Sequence, residues 1–155
     1  MRLLLPIVLT TLVLAACGKG DGAPSADSDL DKAAAVKQLE KVVSIVEAKE
    51  YDKLVGLMAA PKGKEAELKE RISEIGASLL ERQEISAAGV KIIAEKGKFG
   101  PLAEIFPDRS KRWVERMGAK VEDCKALSYE SAEAAWCKLD GAWKFIRLDD
   151  IGKLK

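Results

Sequence analysis

The chain of 155 residues contains no histidine. This absence excludes the Ser-His-Asp and Cys-His arrangements of nucleophilic enzymes, and it removes the usual general base near neutral pH. It also removes nearly all common zinc and iron ligand sets, because these depend on imidazole nitrogen. We therefore expect no metal site and no catalytic residues, and we interpret the protein as a non-enzyme.

The chain also lacks an excess of charge of either sign. It has 26 Lys and Arg residues against 25 Asp and Glu residues, and Arg2 is the only charged residue before position 17. Residues 17–155 are therefore neutral overall. Binding to nucleic acid requires a positive excess concentrated on one face, so nucleic acid is not expected as a partner.

Charged residues do cluster locally, and each cluster has an ordinary interpretation. A basic group surrounds Trp113 and consists of Arg109, Lys111, Arg112, Arg116 and Lys120. Because Asp108 and Glu115 interrupt it, the group is typical of a surface helix, with binding to anionic headgroups or cell-wall polymer as the alternative. Acidic pairs occur at Glu122-Asp123, at Glu130 with Glu133, and at Asp149-Asp150. They lie near predicted strand ends, where solvated carboxylates are common, and none has the spacing of a calcium loop.

Residues 1–16 are predicted to form a secretory signal peptide. Arg2 and the amino terminus provide a short positive region, and the apolar run Leu3–Leu14 is followed by small residues. As a helix, this run would span roughly 18 Å, whereas the hydrocarbon layer of a bilayer is roughly 30 Å thick. A permanent transmembrane helix is therefore not expected.

The sequence Leu14-Ala15-Ala16-Cys17 resembles the lipobox of bacterial lipoproteins. The resemblance implies cleavage between Ala16 and Cys17, a diacylglycerol on the Cys17 thiol, and often an acyl chain such as palmitate on the new amino terminus. No other cofactor is expected. Two or three acyl chains anchor a protein stably, whereas one holds it only marginally. Gly18 stands where lipoproteins of the inner membrane commonly have aspartate, which favours the periplasmic face of the outer membrane if the host has two membranes.

Residues 17–29 are predicted to be the lipidated cysteine and a flexible tether. The stretch GKGDGAPSADSD at 18–29 contains glycine, proline, serine and aspartate and almost nothing apolar. Residues 30–155 have the length of one ordinary domain, so a single globular domain is expected after the tether.

Helical periodicity predicts several amphipathic helices. Val36, Leu39 and Val43 are examples of apolar residues at helical spacing. The helices predicted in this way cover 30–49, a shorter stretch from Tyr51 that ends by Pro61, and a longer stretch through Leu68 to Leu79. A further helix is predicted over 108–117, because Asp108 lies near its start and Gly118 just past its end. Residues 84–96 fit a helix or a strand, and we choose a helix. The stretch 96–107 contains the helix breakers Gly97, Gly100, Pro101 and Pro107 and is predicted to be a turn and a short helix.

The last part of the chain is predicted to form strands. The runs are Val121–Tyr129, Ala132–Leu139 and Ala142–Leu148, and Asp140-Gly141 is a strong hairpin signal. Pairing of Leu139 with Ala142 would place Trp136 opposite Phe145, with Trp143 diagonal on the same face. The other face would carry Cys137, Leu139, Ile146 and Leu148. The predicted fold class is therefore α+β, with N-terminal helices packed on a C-terminal antiparallel three-stranded meander.

Cys124 and Cys137 are the only cysteines besides Cys17. An even pair in an exported protein suggests a disulfide. A hairpin that turns at Glu130 and Ser131 would place the two cysteines opposite each other on one face, at a distance that permits the bond. A redox-active or zinc-binding pair is the alternative, but catalytic dithiols usually lie two residues apart and zinc needs further ligands. We therefore predict a structural disulfide.

The predicted sheet carries a possible binding face formed by Trp136, Trp143 and Phe145. Helices followed by a meander that ends in GAWKF at 141–145 resemble small bacterial lipoproteins with a nuclear-transport-factor-like or cystatin-like fold. The resemblance implies a curved sheet that wraps on helices and whose concave face can hold a small ligand. It implies no particular site residue.

These observations lead to two functional hypotheses. The preferred one is a non-catalytic, periplasm-facing lipoprotein domain with a binding or structural role. Its expected partners are the membrane, through the lipid anchor, and an envelope protein or a cell-wall component. The alternative is a ligand-binding or enzymatic pocket between the aromatic face of the sheet and the helices.

Overall fold

A computed structural model describes residues 29–155 of the chain. The predicted signal peptide at 1–16, the lipidated Cys17 and residues 18–28 of the predicted tether lie outside the described residues. Between residues 29 and 155, no helix is both long and apolar enough to cross a membrane.

The α+β fold class is confirmed, and most of the helices precede the sheet. The helices are α1 (Lys32–Glu47), α2 (Glu65–Glu81), α3 (Ala87–Lys96), α4 (Leu102–Ile105) and α5 (Ser110–Met117). The strands are β1 (Lys98–Pro101), β2 (Cys124–Tyr129), β3 (Ala132–Leu139) and β4 (Ala142–Asp149). Single 3-10 turns occupy Tyr51–Leu54, Val121–Asp123 and Ile151–Lys153.

Two of the helices begin at side-chain caps. The Asp31 carboxylate accepts a hydrogen bond from the Ala34 N–H at 2.7 Å and caps α1. Ser86 caps α3 in the same way, because its Oγ accepts a hydrogen bond from the Gly89 N–H at 3.1 Å. The helix chosen for residues 84–96 is therefore confirmed as α3.

The predicted second helix is shorter than expected. Only Tyr51–Leu54 form a helical turn, and the chain then runs beside β4. The Phe145 N–H donates to the Leu57 carbonyl and the Ala59 N–H donates to the Phe145 carbonyl, each at 2.8 Å. Met58 thereby forms a parallel bridge with β4. This pairing covers part of the outer edge of the sheet, and it overrides the helical periodicity of the segment.

The sheet has four strands rather than the predicted three. Its order is β1-β2-β3-β4, and every neighbouring pair is antiparallel. The missed strand β1 lies in the stretch read as a turn because of Gly97, Gly100 and Pro101. Since β1 is an edge strand and Pro101 is its last residue, the missing N–H costs little there. Pairing with β2, in which Phe99 lies opposite Leu127, overrides the local propensity.

The sheet separates two clusters of buried apolar residues. The cluster under α1, α2 and α3, which we call the main core, includes Leu39, Val42, Val46, Leu54, Ile72, Ile93, Leu127, Trp136, Phe145 and Ile151. The cluster under α4 and α5, which we call the small core, consists of Leu102, Phe106, Val114, Cys124, Ala126, Ala135 and Cys137. The sheet is therefore covered on both faces, by long helices on one side and by two short helices on the other.

The hairpin between β3 and β4 forms as predicted. Asp140 and Gly141 both have positive φ, 51° and 79°, as this type of tight turn requires. The predicted register is confirmed at Trp136, which lies opposite Phe145.

Because of a bulge in β4, its last residues do not all lie on the faces that we predicted. The register shifts between Trp136 and Ala135, so that Ala135 pairs with Arg147 and Ile146 is an extra residue. Simple alternation placed Ile146 and Leu148 on the same face. Ile146 does pack against the small core, whereas Leu148 packs against the main core, because one extra residue moves every later side chain to the opposite face.

Candidate functional site

The two cysteines of the small core form a disulfide, as predicted. Cys124 and Cys137 lie opposite each other in β2 and β3, their Cα atoms are 4.1 Å apart, and both residues are fully buried. The turn at Glu130, which has a positive φ of 53°, connects the two strands. Because the sulfurs are removed from solvent, the bond suits a structural role better than thiol exchange.

The three aromatic residues of the predicted binding face share one face of the sheet, but two of them lie inside the main core. Trp136 is 0% exposed and Phe145 is 1% exposed, and their ring centroids are 4.9 Å apart. Trp143 is partly buried at the margin of the same core. A ligand would reach the two inner rings only by displacing the helices, so Trp143 alone of the three offers surface to a ligand.

Four charged side chains meet where β3 begins and β4 ends, and we call them the arginine–carboxylate cluster: Arg109, Glu133, Arg147 and Asp149. Arg109 Nη2 donates a hydrogen bond to Glu133 Oε1 at 2.6 Å. Arg147 Nε lies 3.5 Å from Glu133 Oε2, and Arg147 Nη2 donates to the Asp149 carboxylate. Glu133 and Asp149 are cross-strand partners, which brings both carboxylates to the same end of the sheet.

The ring of Trp113 packs against both guanidinium groups of the cluster. The Cζ atoms of Arg109 and Arg147 lie 5.1 Å and 5.5 Å from its centroid, and Phe106 meets it edge-on at 5.2 Å. Each such cation–aromatic contact contributes roughly 0.5–1 kcal/mol at an exposed site. The basic group that the sequence places around Trp113 is thus divided. Arg109 is partly buried and pairs with Glu133, while four residues remain exposed, namely Lys111, Arg112, Arg116 and Lys120.

Glu133 differs from the solvated carboxylate that we predicted at this position. The residue is only 8% exposed, and its two oxygens face the two guanidinium groups. A buried charge is tolerated only when it is paired, and here the pairing also joins the start of α5 to two strands. Glu133 Oε1 accepts the hydrogen bond from Arg109, whereas Oε2 has no hydrogen-bond partner among the described residues and lies only within ion-pair distance of Arg147. Held between two guanidinium groups, Glu133 suits a clamp between these elements better than proton transfer to a substrate.

A second group of carboxylates adjoins the cluster at the end of β4. Oxygens of Glu84, Asp149 and Asp150 lie within 4.8 Å of one another. The Asp150 N–H donates to Glu84 Oε2 at 3.0 Å. The Asp150 carboxylate accepts a hydrogen bond from Lys153, which raises the pKa of the Lys153 ammonium group. Three carboxylates are a suitable donor set for a hard cation, but Arg147 and Lys153 already neutralise two of them, and we assign no metal there.

Two surface clefts lie apart from these charged clusters. One has a volume of about 470 Å³ and runs between α1 and α3. The other has a volume of about 330 Å³ and is lined in part by Met58, Met117 and Leu139. Neither is lined by Trp136, Trp143 or Phe145, so the predicted aromatic face opens into neither cleft.

Sequence reasoning missed the arginine–carboxylate cluster because its members are far apart along the chain. Arg109 and Glu133 are separated by 24 residues. One signal was present: Glu133 stands among the alanines of β3, and a charged residue within a buried strand needs a partner. The identity of that partner depends on where α5 packs, which the local sequence does not specify.

No family model, no curated protein and no solved structure matches this chain. The function has to be inferred from the chain's own residues and contacts.

Proposed function

We propose that the protein is a lipid-anchored domain of the bacterial cell envelope that acts by binding rather than by catalysis. Leu14-Ala15-Ala16-Cys17 resembles a lipobox, so the anchor would be a diacylglycerol on Cys17 together with an acyl chain on its amino group. Residues 18–29 would then tether the folded domain close to the membrane surface.

The observation that carries this proposal is the buried disulfide between Cys124 and Cys137. Structural disulfides persist in oxidising compartments and are rare where thiols are kept reduced. The lipobox and the disulfide are independent features of the chain, and both are expected of an exported protein. Gly18 favours the periplasmic face of the outer membrane if the host has two membranes.

A binding function is supported by the chemistry of the charged residues. The chain has no histidine. Among residues 29–155, the most buried carboxylate is that of Glu133, which is paired with Arg109 and Arg147. Neither feature favours a general base. The neutral composition of residues 17–155 is suited to a protein or cell-wall partner better than to nucleic acid.

The alternative function, a small-ligand or enzymatic pocket of the nuclear-transport-factor-like type, has less support. Such a pocket would lie between the sheet and the helices. In that space Trp136 and Phe145 are in contact with each other and buried.

The proposal is tested by palmitate labelling of the wild-type protein and of Cys17→Ser in the native host, followed by membrane fractionation and intact-mass analysis. We expect the wild type to carry label and to begin at Cys17, and we expect the variant to be unlabelled. Recovery of an unmodified wild-type chain that begins at Met1 in the soluble fraction would overturn the proposal. Cys137→Ser serves as the control, because it removes a cysteine without touching the lipobox.

A further inference from the structure

The groove between α1 and α3 has an apolar floor. Val36 and Val43 of α1 and Val90 of α3 line it, and the small side chains of Ala87 and Ala94 form part of its wall. Because alanine fills little space, a hollow of about 470 Å³ remains between the two helices. A groove of this kind accepts apolar side chains of a partner segment.

The rim of the same groove is acidic. Three carboxylates line it, Glu40 and Glu47 on α1 and Glu95 on α3, together with one ammonium group, that of Lys91. All four residues are exposed. Glu40 and Glu47 are seven residues apart on one side of α1, and Glu95 lies on the opposite wall, so negative charge borders the apolar floor on both sides.

The rim carboxylates are not neutralised within the described domain. None of Glu40, Glu47 and Glu95 forms an ion pair with another residue between 29 and 155. Two carboxylates of α2 differ, since Glu67 and Glu74 both lie within ion-pair distance of Arg71. The groove therefore presents a formal charge of −2, three carboxylates against one ammonium group, to any molecule that approaches it.

We propose that this groove binds a short cationic amphipathic segment of an envelope protein. Its apolar side chains would occupy the hollow over Val43 and Val90, and its Lys or Arg side chains would lie against Glu40, Glu47 and Glu95. Complementary charge accelerates association and selects the partner, while the apolar floor lengthens the lifetime of the complex. The same acidic rim disfavours nucleic acid and anionic lipid headgroups. This inference rests on the proposed binding function and names its class of partner.

The test uses the mature acylated protein, which begins at Cys17, in nanodiscs of phosphatidylcholine, with empty nanodiscs as the background. The probe is a fluorescent amphipathic peptide of Leu and Lys at helical spacing, and its counterpart carries Glu in place of every Lys. Fluorescence anisotropy gives the affinity. We expect the Lys peptide to bind above background and the Glu peptide to bind at background level.

Two triple variants of equal net charge locate the binding. E40K/E47K/E95K reverses the rim, whereas E70K/E81K/E122K reverses three exposed carboxylates outside the groove. We expect the rim variant to weaken binding of the Lys peptide by roughly tenfold or more and the control to change it by less than roughly threefold. A87F fills the hollow without changing charge and should weaken binding at least roughly fivefold. Thermal unfolding checks that each variant is folded.

Several results would overturn the inference. The first is equal affinity of the two triple variants for the Lys peptide, and the second is binding of the Glu peptide as tightly as the Lys peptide. The third is a dimer, detected by light scattering, that only the rim variant abolishes, because the groove would then bind a second copy of the chain. Mass analysis of the same preparations reports acylation of Cys17. If Cys17 is acylated and the protein binds the two peptides equally, the groove inference fails while the proposed anchoring stands. If Cys17 is unmodified, the proposed function itself fails.

Discussion

The two faces of the sheet are stabilised in different ways. The main core contains large side chains from three helices and the sheet, with Trp136 and Phe145 fully buried at its centre. The small core is made largely of alanine and cysteine on the sheet side, and two short helices cover it. On that side the chain adds a disulfide and the arginine–carboxylate cluster.

The contrast indicates how a face of the sheet that is covered only by short helices is stabilised. Burial of apolar area stabilises roughly in proportion to that area, and α4 and α5 are too short to bury much of it. A covalent bond between β2 and β3, and ion pairs that join α5 to β3 and β4, supply what the apolar contacts on this face lack. The following predictions test this difference, beginning with the largest expected effect.

Trp136→Ala should have the largest effect, because it empties the centre of the main core. Truncation of a buried tryptophan costs about 3–5 kcal/mol. Val114→Ala, the corresponding truncation in the small core, should cost about 1–2 kcal/mol. Urea denaturation followed by circular dichroism measures both free energies of unfolding. Equal losses for the two variants would contradict the contrast between the faces.

Removal of the disulfide should destabilise the protein more than truncation within the small core. Cys124→Ala/Cys137→Ala is expected to lose on the order of 3 kcal/mol, because the unfolded chain is no longer constrained by the closed loop. The midpoint of urea denaturation is the measurement. Unfolding in the presence of a reductant should lower the midpoint of the wild type and leave that of the double variant unchanged. A double variant as stable as the wild type would show that the bond adds nothing to this face.

Glu133→Gln should have an intermediate effect. The Glu133 side chain is 11% exposed, but Arg109 and Arg147 are 43% and 39% exposed, so water screens part of the interaction. We expect a loss of about 1–2 kcal/mol. Glu130→Gln, on the exposed turn between the same strands, is the matched control and should change stability by less than about 0.5 kcal/mol. If the two substitutions have the same effect, the cluster does not clamp α5 to the sheet.

The smallest effect is expected at Glu67, on the exposed face of α2 that points away from the main core. A hydrogen bond from Lys64, aided by its charge and by Arg71, lowers the pKa of Glu67 below its usual 4.5. The stabilisation is therefore present above pH 4.5 and is lost as the pH falls through the lowered pKa. Glu67→Gln should remove this part of the acid sensitivity, and Glu70→Gln should not. Unfolding measured between about pH 3 and pH 6 distinguishes them, and identical pH profiles for the two variants would contradict the assignment.

Most regular elements were predictable because their signals are local. α1, α2 and α3 follow apolar residues at helical spacing, α5 follows from Asp108 and Gly118 at its ends, and the β3–β4 turn follows from Asp140-Gly141. The disulfide was also predictable, since pairing across one hairpin puts Cys124 opposite Cys137. Each of these features depends on residues that are close in the chain or related by one turn.

The features that were missed depend on contacts between distant segments. Strand β1 forms because it pairs with the edge of β2, even though Gly97, Gly100 and Pro101 are typical of a turn. The bulge at Ile146 moves Leu148 to the opposite face of the sheet, and no residue type in β4 predicts a bulge.

The residues on which the two proposals rest divide in the same manner. The proposed acylation of Cys17 rests on a linear motif, because Leu14-Ala15-Ala16-Cys17 resembles a lipobox. The groove between α1 and α3 and the pairing of Glu133 with Arg109 arise only when helices pack, since each brings together side chains from elements that are not neighbours in sequence. Periodicity and turn chemistry were thus enough for most of the helices, for strands β2, β3 and β4 and for the cysteine pair. Only the tertiary structure determines which charges are buried together and which stay exposed, because that depends on how distant segments pack.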